Sequence, residues 1–282
     1  MTTSASTSAS TSAFEPIRIG NTVIRQSSSS SKYEIKNEAS PFLMKSISKI
    51  TALKATPKAD ATPKAETKAI IEAADVLTLR DYLKRNQHAT ELYVALRLVH
   101  DLGKQMQALI SSGRSIAYFG VDDVVVIVHR DSDKFTHDSM NDLDSTLGDS
   151  HMDPQFLFLN DHLIFELDDD GALIIDHALP SKGKAKGKAN GKAKGKAKYA
   201  FMSPELQHLL ESNKSNAPMS VHFKTIYYSA AQLVIYFLLN VDRIPDNATD
   251  IAYLNPIKLT KLYWFLLRCL NPVPAERKYI YI

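Results

Sequence analysis

Residues 260–277 read TKLYWFLLRCLNPVPAER, and the fold follows from how this stretch connects to what precedes it. Its first half belongs to a helix expected over 256–270, with Tyr263, Trp264 and Phe265 in the core of the terminal helices. Cys269 beside them reads as a small buried hydrophobe and not a nucleophile. Further back, IYYSAAQLVIYFLL (226–239) is apolar enough to be a buried helix. Before it, YAFMSPELQHLL (199–210) sets Ser203-Pro204-Glu205 at the entry to a helix over 204–211.

The preceding blocks are of two kinds. FEPIRIGNTVIRQ (14–26), KYEIKN (32–37) and PFLMKSIS (41–48) alternate as strands do. Residues 77–84 and 91–111 have helical spacing, with Leu92, Leu96, Val99, Leu102, Met106 and Leu109 on one stripe. Short strands are expected at 124–128, 156–159, 163–167 and 172–176, the last two joined by the turn Asp168-Asp169-Asp170-Gly171. A β-rich unit followed by a mainly helical one is an α+β order. Between the blocks lie Ser/Thr/Ala at 1–13, the repeat KATPKADATPKAETK at 54–68, a polar stretch at 129–155, and alternating Lys with Gly or Ala at 181–198.

Hydrophobic residues make up 44% and charged residues 23%, which excludes a disordered chain overall. The net charge of +3 is produced by one segment: without its eight lysines (182, 184, 186, 188, 192, 194, 196, 198) the remainder carries −5. Attraction to nucleic acid or another polyanion is therefore expected to be local to 182–198, and non-specific, since no aromatic residues interleave the lysines. Cys269 is the single cysteine, so no intramolecular disulfide forms and a reducing compartment is expected. MTTSASTSASTSA lacks the features of a secretory or transit peptide, and the longest apolar run, Tyr227 to Leu239, is short of the ~20 residues a bilayer requires. An intracellular protein, cytoplasmic or nuclear and without membrane contact, is the expectation.

Taken in order, these blocks resemble the protein kinase superfamily in a degenerate, pseudokinase-like form. TKLYWFLLRCLNPVPAER is similar to that family's segment ending in the Arg that pairs with the Glu of Ala-Pro-Glu, whose counterpart is Ser203-Pro204-Glu205; Glu205 and Arg277 would then form a structural ion pair. IIEAADVLTLRDYLK (70–84) looks like the hinge and following helix. Phe42-Leu43-Met44-Lys45 resembles the Val-Ala-Ile-Lys strand, making Lys45 the cofactor-binding candidate, and Ile174-Ile175-Asp176-His177-Ala178 falls where Asp-Phe-Gly is expected, making Asp176 the metal candidate. The ending YWFLLRCL is also similar to kinase-like proteins of large DNA viruses. The resemblance implies a bilobal protein-kinase-like fold: a tail at 1–13, a reduced β-rich N-lobe at 14–76 including the linker 54–68, and a mainly helical C-lobe at 77–282 with insertions at 129–155 and 181–198. ATP and Mg²⁺ are the implied cofactors.

Several positions depart from that family's pattern. Aligning SIAYFGVDDVVVI with the catalytic loop puts Tyr118, Phe119 and Gly120 on His-Arg-Asp and Val125 on the metal-binding Asn. Glycine and valine can neither take a proton nor hold a cation. Asp122 is the surrogate base, or its neighbour Asp123, but displacement of about 1 Å can cost 10²-fold. Asp131 is the alternative, in a literal His129-Arg130-Asp131, although Ser132 and Thr136 occupy the places of the Leu and Asn that should follow. The glycine loop is reduced to Gly20, followed by SSSSS (27–31), and Lys45 has only Glu66 or Glu72 as partner candidates. His129, His137, His151 and His162 have no compact metal spacing. Three functions stay open: a kinase-like scaffold that binds a protein partner with little or no phosphotransfer and weak nucleotide binding, a divergent active Ser/Thr kinase, and a polyanion-binding adaptor acting through 182–198.

Overall fold

The computed structural model describes residues 14–27, 31–50, 68–86, 91–129, 154–175, 200–212, 217–239 and 252–279. Strands β1 (Ile17–Ile19), β2 (Thr22–Gln26), β3 (Lys32–Lys36) and β4 (Lys68–Glu72) form an antiparallel sheet in sequence order. The side-chain alternation of KYEIK and KAIIE turns Tyr33, Ile35, Ala69 and Ile71 inward and leaves Lys32, Lys68 and Ile70 outside. Between β3 and β4 runs α1 (Pro41–Ile50), where a strand was expected over 41–48. Helix wins because Leu43, Met44 and Ile47 make one apolar stripe that is buried, while Ser40 accepts the Leu43 N–H at 3.4 Å.

The rest of the described chain is mainly helical. β5 (Asp75–Thr78) leads into α2 (Leu79–Arg85), with Thr78 as the cap accepting the Asp81 N–H at 3.1 Å, and α3 (Leu92–Ile110) follows. The first residues of the expected 77–84 helix are thus strand, because β5 pairs antiparallel with β8 (Val124–Val128). β8 pairs in turn with β9 (Pro154–Phe158), giving the sheet β5-β8-β9. Another sheet, in the order β13-β11-β10-β6, joins β6 (Arg114–Ile116), β10 (Ile164–Leu167), β11 (Ala172–Ile175) and β13 (Met219–His222). The expected hairpin turn at 168–171 is there, with Gly171 at φ 75°. The pair β7 (Phe119–Gly120) and β12 (Ala200–Phe201) is tied to a helix: the Phe119 N–H donates to Ser229 Oγ at 2.7 Å, and that hydroxyl donates to the Phe201 carbonyl. α4 (Pro204–Ser212), α5 (Thr225–Leu239) and α6 (Lys261–Cys269) complete the fold.

Strand β9 lies at the border of its sheet, and α3 covers the open edge with side chains. Asp101 and Gln105, one helical turn apart, accept the N–H groups of Phe156 (3.0 Å) and Phe158 (2.8 Å), and the Gln105 amide donates to the Phe158 carbonyl at 2.7 Å. Burial pushes the Asp101 carboxyl above the usual range, against the opposing pull of the Phe156 N–H and the Arg97 charge. Packed on this strand is an aromatic core of Tyr82, Phe156 and Phe237. One core expectation is corrected: Trp264 is 51% exposed. α6 turns Leu262, Tyr263, Phe265, Leu266 and Cys269 inward, which leaves 264 on the opposite face. No helix among the described residues is long and apolar enough to cross a membrane.

Candidate functional site

In phosphoryl-transferring kinases a glycine-rich turn between the first two strands covers the phosphates. The β1–β2 turn here, Gly20-Asn21, does not arch over a space. Asn21 donates its backbone N–H to Asp161 Oδ1 (2.9 Å) and its side-chain amide to Oδ2 (2.8 Å). One residue on, the Thr22 hydroxyl donates to the Leu159 carbonyl at 2.7 Å and itself accepts from the Asn37 amide at 2.8 Å. Thr22 and Asn37 are fully buried. Gly20 sits at φ 57°, and a Cβ built there would lie 2.4 Å from Asp161 Oδ1 and 2.8 Å from Asn160 Oδ1. Only glycine satisfies both the conformation and the space.

The segment beneath the turn is equally committed. Asn160 donates to Asp123 Oδ1 at 2.6 Å and accepts the His162 N–H at 3.2 Å, starting the 3-10 turn Asp161–Leu163. The Leu159 N–H donates to the Asp123 carbonyl at 2.9 Å, so the 3-10 turn Val121–Asp123 and the exit of β9 are bound together. Asp123 is 4% exposed. Burial, and secondarily the Asp123 charge, pushes the Tyr118 phenol up to about 12, so it remains protonated. A phosphate chain covered by the β1–β2 turn would have to lie between the turn and 160–162, where the gap is one hydrogen bond wide. The residues present do not fit a triphosphate there.

Of the sequence-derived candidates, Lys45 and Asp122 are among the described residues, as are Glu205 and Arg277. Lys45 is exposed on helix α1 and not on a strand. Of its candidate partners, Glu72 instead meets Lys32 at 3.4 Å and Glu66 lies outside the described residues. Asp122 is gripped by Arg80 of α2, Nε to Oδ1 at 2.5 Å and Nη2 to Oδ2 at 3.0 Å, so both carboxylate oxygens accept from a guanidinium and are poorly placed to take a substrate proton. Asp131 and Asp176 lie outside the described residues; His129 beside the former has its Nδ1 3.1 Å from the Glu72 carbonyl. β11, which leads toward Asp176, lies between β10 and β13. Gly120 is in β7 opposite Ala200, and Val125 is a buried residue of β8 facing Leu157 and Thr78.

Glu205 and Arg277 form a bidentate ion pair, with Nη2 to Oε2 at 3.0 Å and a shorter contact between Nη1 and Oε1. Arg277 is fully buried, and its Nε donates to the Asn271 carbonyl at 2.7 Å. The Thr225 hydroxyl adds a bond to Glu205 at 2.8 Å, and the guanidinium lies 4.9 Å from the centre of the Tyr228 ring. Burial alone would raise the Glu205 carboxyl. The Arg277 hydrogen bond, its own backbone, the Arg277 charge and the Thr225 bond outweigh that and hold it below the usual value.

Sequence reasoning did not single out Asn21, Thr22, Asn37 or Asp161. The available signal was Asn-Asp directly after the fully apolar FLFL, two polar residues at the end of a buried strand. On the outer face of the N-terminal sheet an open depression of about 390 Å³ is lined by Val23, Arg25, Glu34, Lys36 and Glu38. Within it Lys36 meets Glu38 at 2.5 Å, and Glu34 meets Lys68 at 3.0 Å. No group of three or more metal-ligating side chains gathers among the described residues.

No family model matches the chain, and no curated protein matches it either. Among solved structures, the chain is similar to the crystal structure of the Mycobacterium tuberculosis PknI kinase domain, with 14% identity and a TM-score of 0.44 over 92% of this chain and 86% of that one.

Proposed function

We propose that this chain is a kinase-like scaffold that performs little or no phosphotransfer and acts by binding a protein partner. The kinase-like part of the reading is supported by the N-terminal antiparallel sheet interrupted by a helix, and by the buried Glu205–Arg277 pair joining Ser203-Pro204-Glu205 to the last helical segment. One observation carries the inactive part: the β1–β2 turn is hydrogen-bonded directly to Asp161, with Gly20 in contact with Asn160 and Asp161. Phosphoryl transfer depends on positioned phosphates, metal and an orienting carboxylate. Here the place for phosphates is filled by protein, and Asp122 is bound to Arg80.

The test is calorimetric titration with ATP and Mg²⁺ beside transfer of labelled phosphate to generic protein substrates, on wild type, Lys45→Met and Asp122→Asn. The expected result is no turnover in any of them and nucleotide binding weaker than millimolar. Turnover in wild type that disappears in Asp122→Asn would overturn the proposal and restore the active-kinase reading.

A further inference from the structure

The outer face of α6 carries a row of cations with an indole set among them. Lys261, Trp264 and Arg268 stand at i, i+3 and i+7, one stripe of the helix, and all are exposed. Lys258 and Leu259 lead into the row, and the Lys278 N–H donates to the Arg268 carbonyl at 3.4 Å to close it. None of these four cations makes an ion pair among the described residues. The row is basic on a chain that, outside the lysines of 182–198, carries −5.

Two further observations mark this face. Leu259 is the one described non-glycine residue at positive φ, 71°, and its side chain is 78% exposed. It precedes the cap Thr260, and Trp264 is four residues past that cap, the two positions that come together at a helix start. The indole meets buried Tyr263 in a T-shaped arrangement, with centroids 5.2 Å apart, and remains 51% exposed.

We infer that this face binds single-stranded nucleic acid, Trp264 stacking on a base while Lys258, Lys261, Arg268 and Lys278 meet phosphates. Aromatic faces interleaved with cations are what sequence-tolerant strand binding requires. A lipid surface is the poorer match, because it needs a continuous apolar helix face. The apolar face of α6, with Leu262, Phe265 and Leu266, is turned into the core. This inference is independent of whether the chain transfers phosphate.

Trp264 is the only tryptophan, so fluorescence reads this face alone. Titrating the full chain with a short thymidylate oligonucleotide should quench the emission saturably. Affinity should fall with salt along a log–log slope of about −2 to −3 for up to four phosphate contacts. The double variant Lys261→Glu/Arg268→Glu should lose the quenching while keeping its circular dichroism and urea midpoint. Trp264→Ala, followed by anisotropy of a labelled oligonucleotide, should bind roughly ten-fold more weakly. Binding without quenching that ignores the charge reversal would overturn the inference and assign the affinity to 182–198. So would absence of binding, or a blue shift with phosphatidylserine vesicles and no response to the oligonucleotide.

Discussion

Replacing Gly20 by alanine tests the closed turn directly, and Gly113 supplies the control. Both glycines are left-handed, at φ 57° and 72°. An alanine in that region costs about 1–2 kcal/mol wherever it occurs. At Gly113 a Cβ meets nothing within 4 Å, so the conformational cost is the whole effect. At Gly20 it would stand 2.4 Å from a carboxylate oxygen and 2.8 Å from an amide oxygen, so the Asn160 and Asp161 side chains or the turn must move. Lifting the turn strains or breaks the two Asn21–Asp161 bonds and the buried Thr22–Leu159 bond. Overpacking of this kind adds about 1–3 kcal/mol. Urea denaturation followed by circular dichroism should therefore place Gly20→Ala about 1–3 kcal/mol below Gly113→Ala, with equal slopes. Equal losses in the two variants, within about 0.5 kcal/mol, would mean that the turn does not rest on 160–161 and that a cleft is open there.

Arg277→Ala leaves Glu205 partly buried without its partner and should lose about 3–5 kcal/mol in the same assay. Because the folded Glu205 carboxyl is depressed, its contribution is present above the ordinary value of 4.5 and is lost as pH falls through the folded value; the stability of Glu205→Gln should therefore fall less steeply below pH 4.5 than that of wild type. Asp101→Asn keeps an acceptor for the Phe156 N–H and should be tolerated within about 1 kcal/mol at pH 7, whereas Asp101→Leu orphans that N–H and should cost about 1–3 kcal/mol more. Wild-type stability carries a small opposite trend from Asp101, whose raised carboxyl favours the fold at low pH and loses that contribution as pH rises through its folded value. Burial pushes the Cys269 thiol far up, so iodoacetamide should label it only after denaturant is added; labelling of the native chain at the rate of a free thiol would contradict its burial.

Much of the framework was legible because it is periodic. The alternation in KYEIK reports burial directly, as does the stripe from Val99 to Leu109, although Leu92 at the helix start is exposed; Glu205 with Arg277 was read from local motifs lying 72 positions apart. The candidate site was not legible, because it is made by contacts between residues that no local pattern links: Asn21 with Asp161 across 140 positions and Thr22 with Leu159 across 137. PFLMKSIS fits both periods in a short window, and its packing against α3 decided for helix, carrying Lys45 off the expected strand. Trp264 was misplaced for a different reason. Aromatic residues predict burial by composition, but Tyr263 and Phe265 flank the buried arc of Leu262, Leu266 and Cys269, and the residue between them lies opposite it.

The Tyr279 hydroxyl donates to the Val99 carbonyl at 2.5 Å, spanning 180 positions, and its ring lies against Phe265 and Tyr227. With Arg277 it makes residues 277–279 the parts that close α3, α4, α5 and α6 upon one another. Synthesis proceeds from the N-terminus, so these closing contacts reach the emerging chain after everything they join. Until then α5, apolar on nearly every side, has incomplete cover. A ribosome that stalled or terminated a few codons before Arg277 would release a chain with most of its core residues present and its fastening missing, the kind of species that chaperones and proteases intercept.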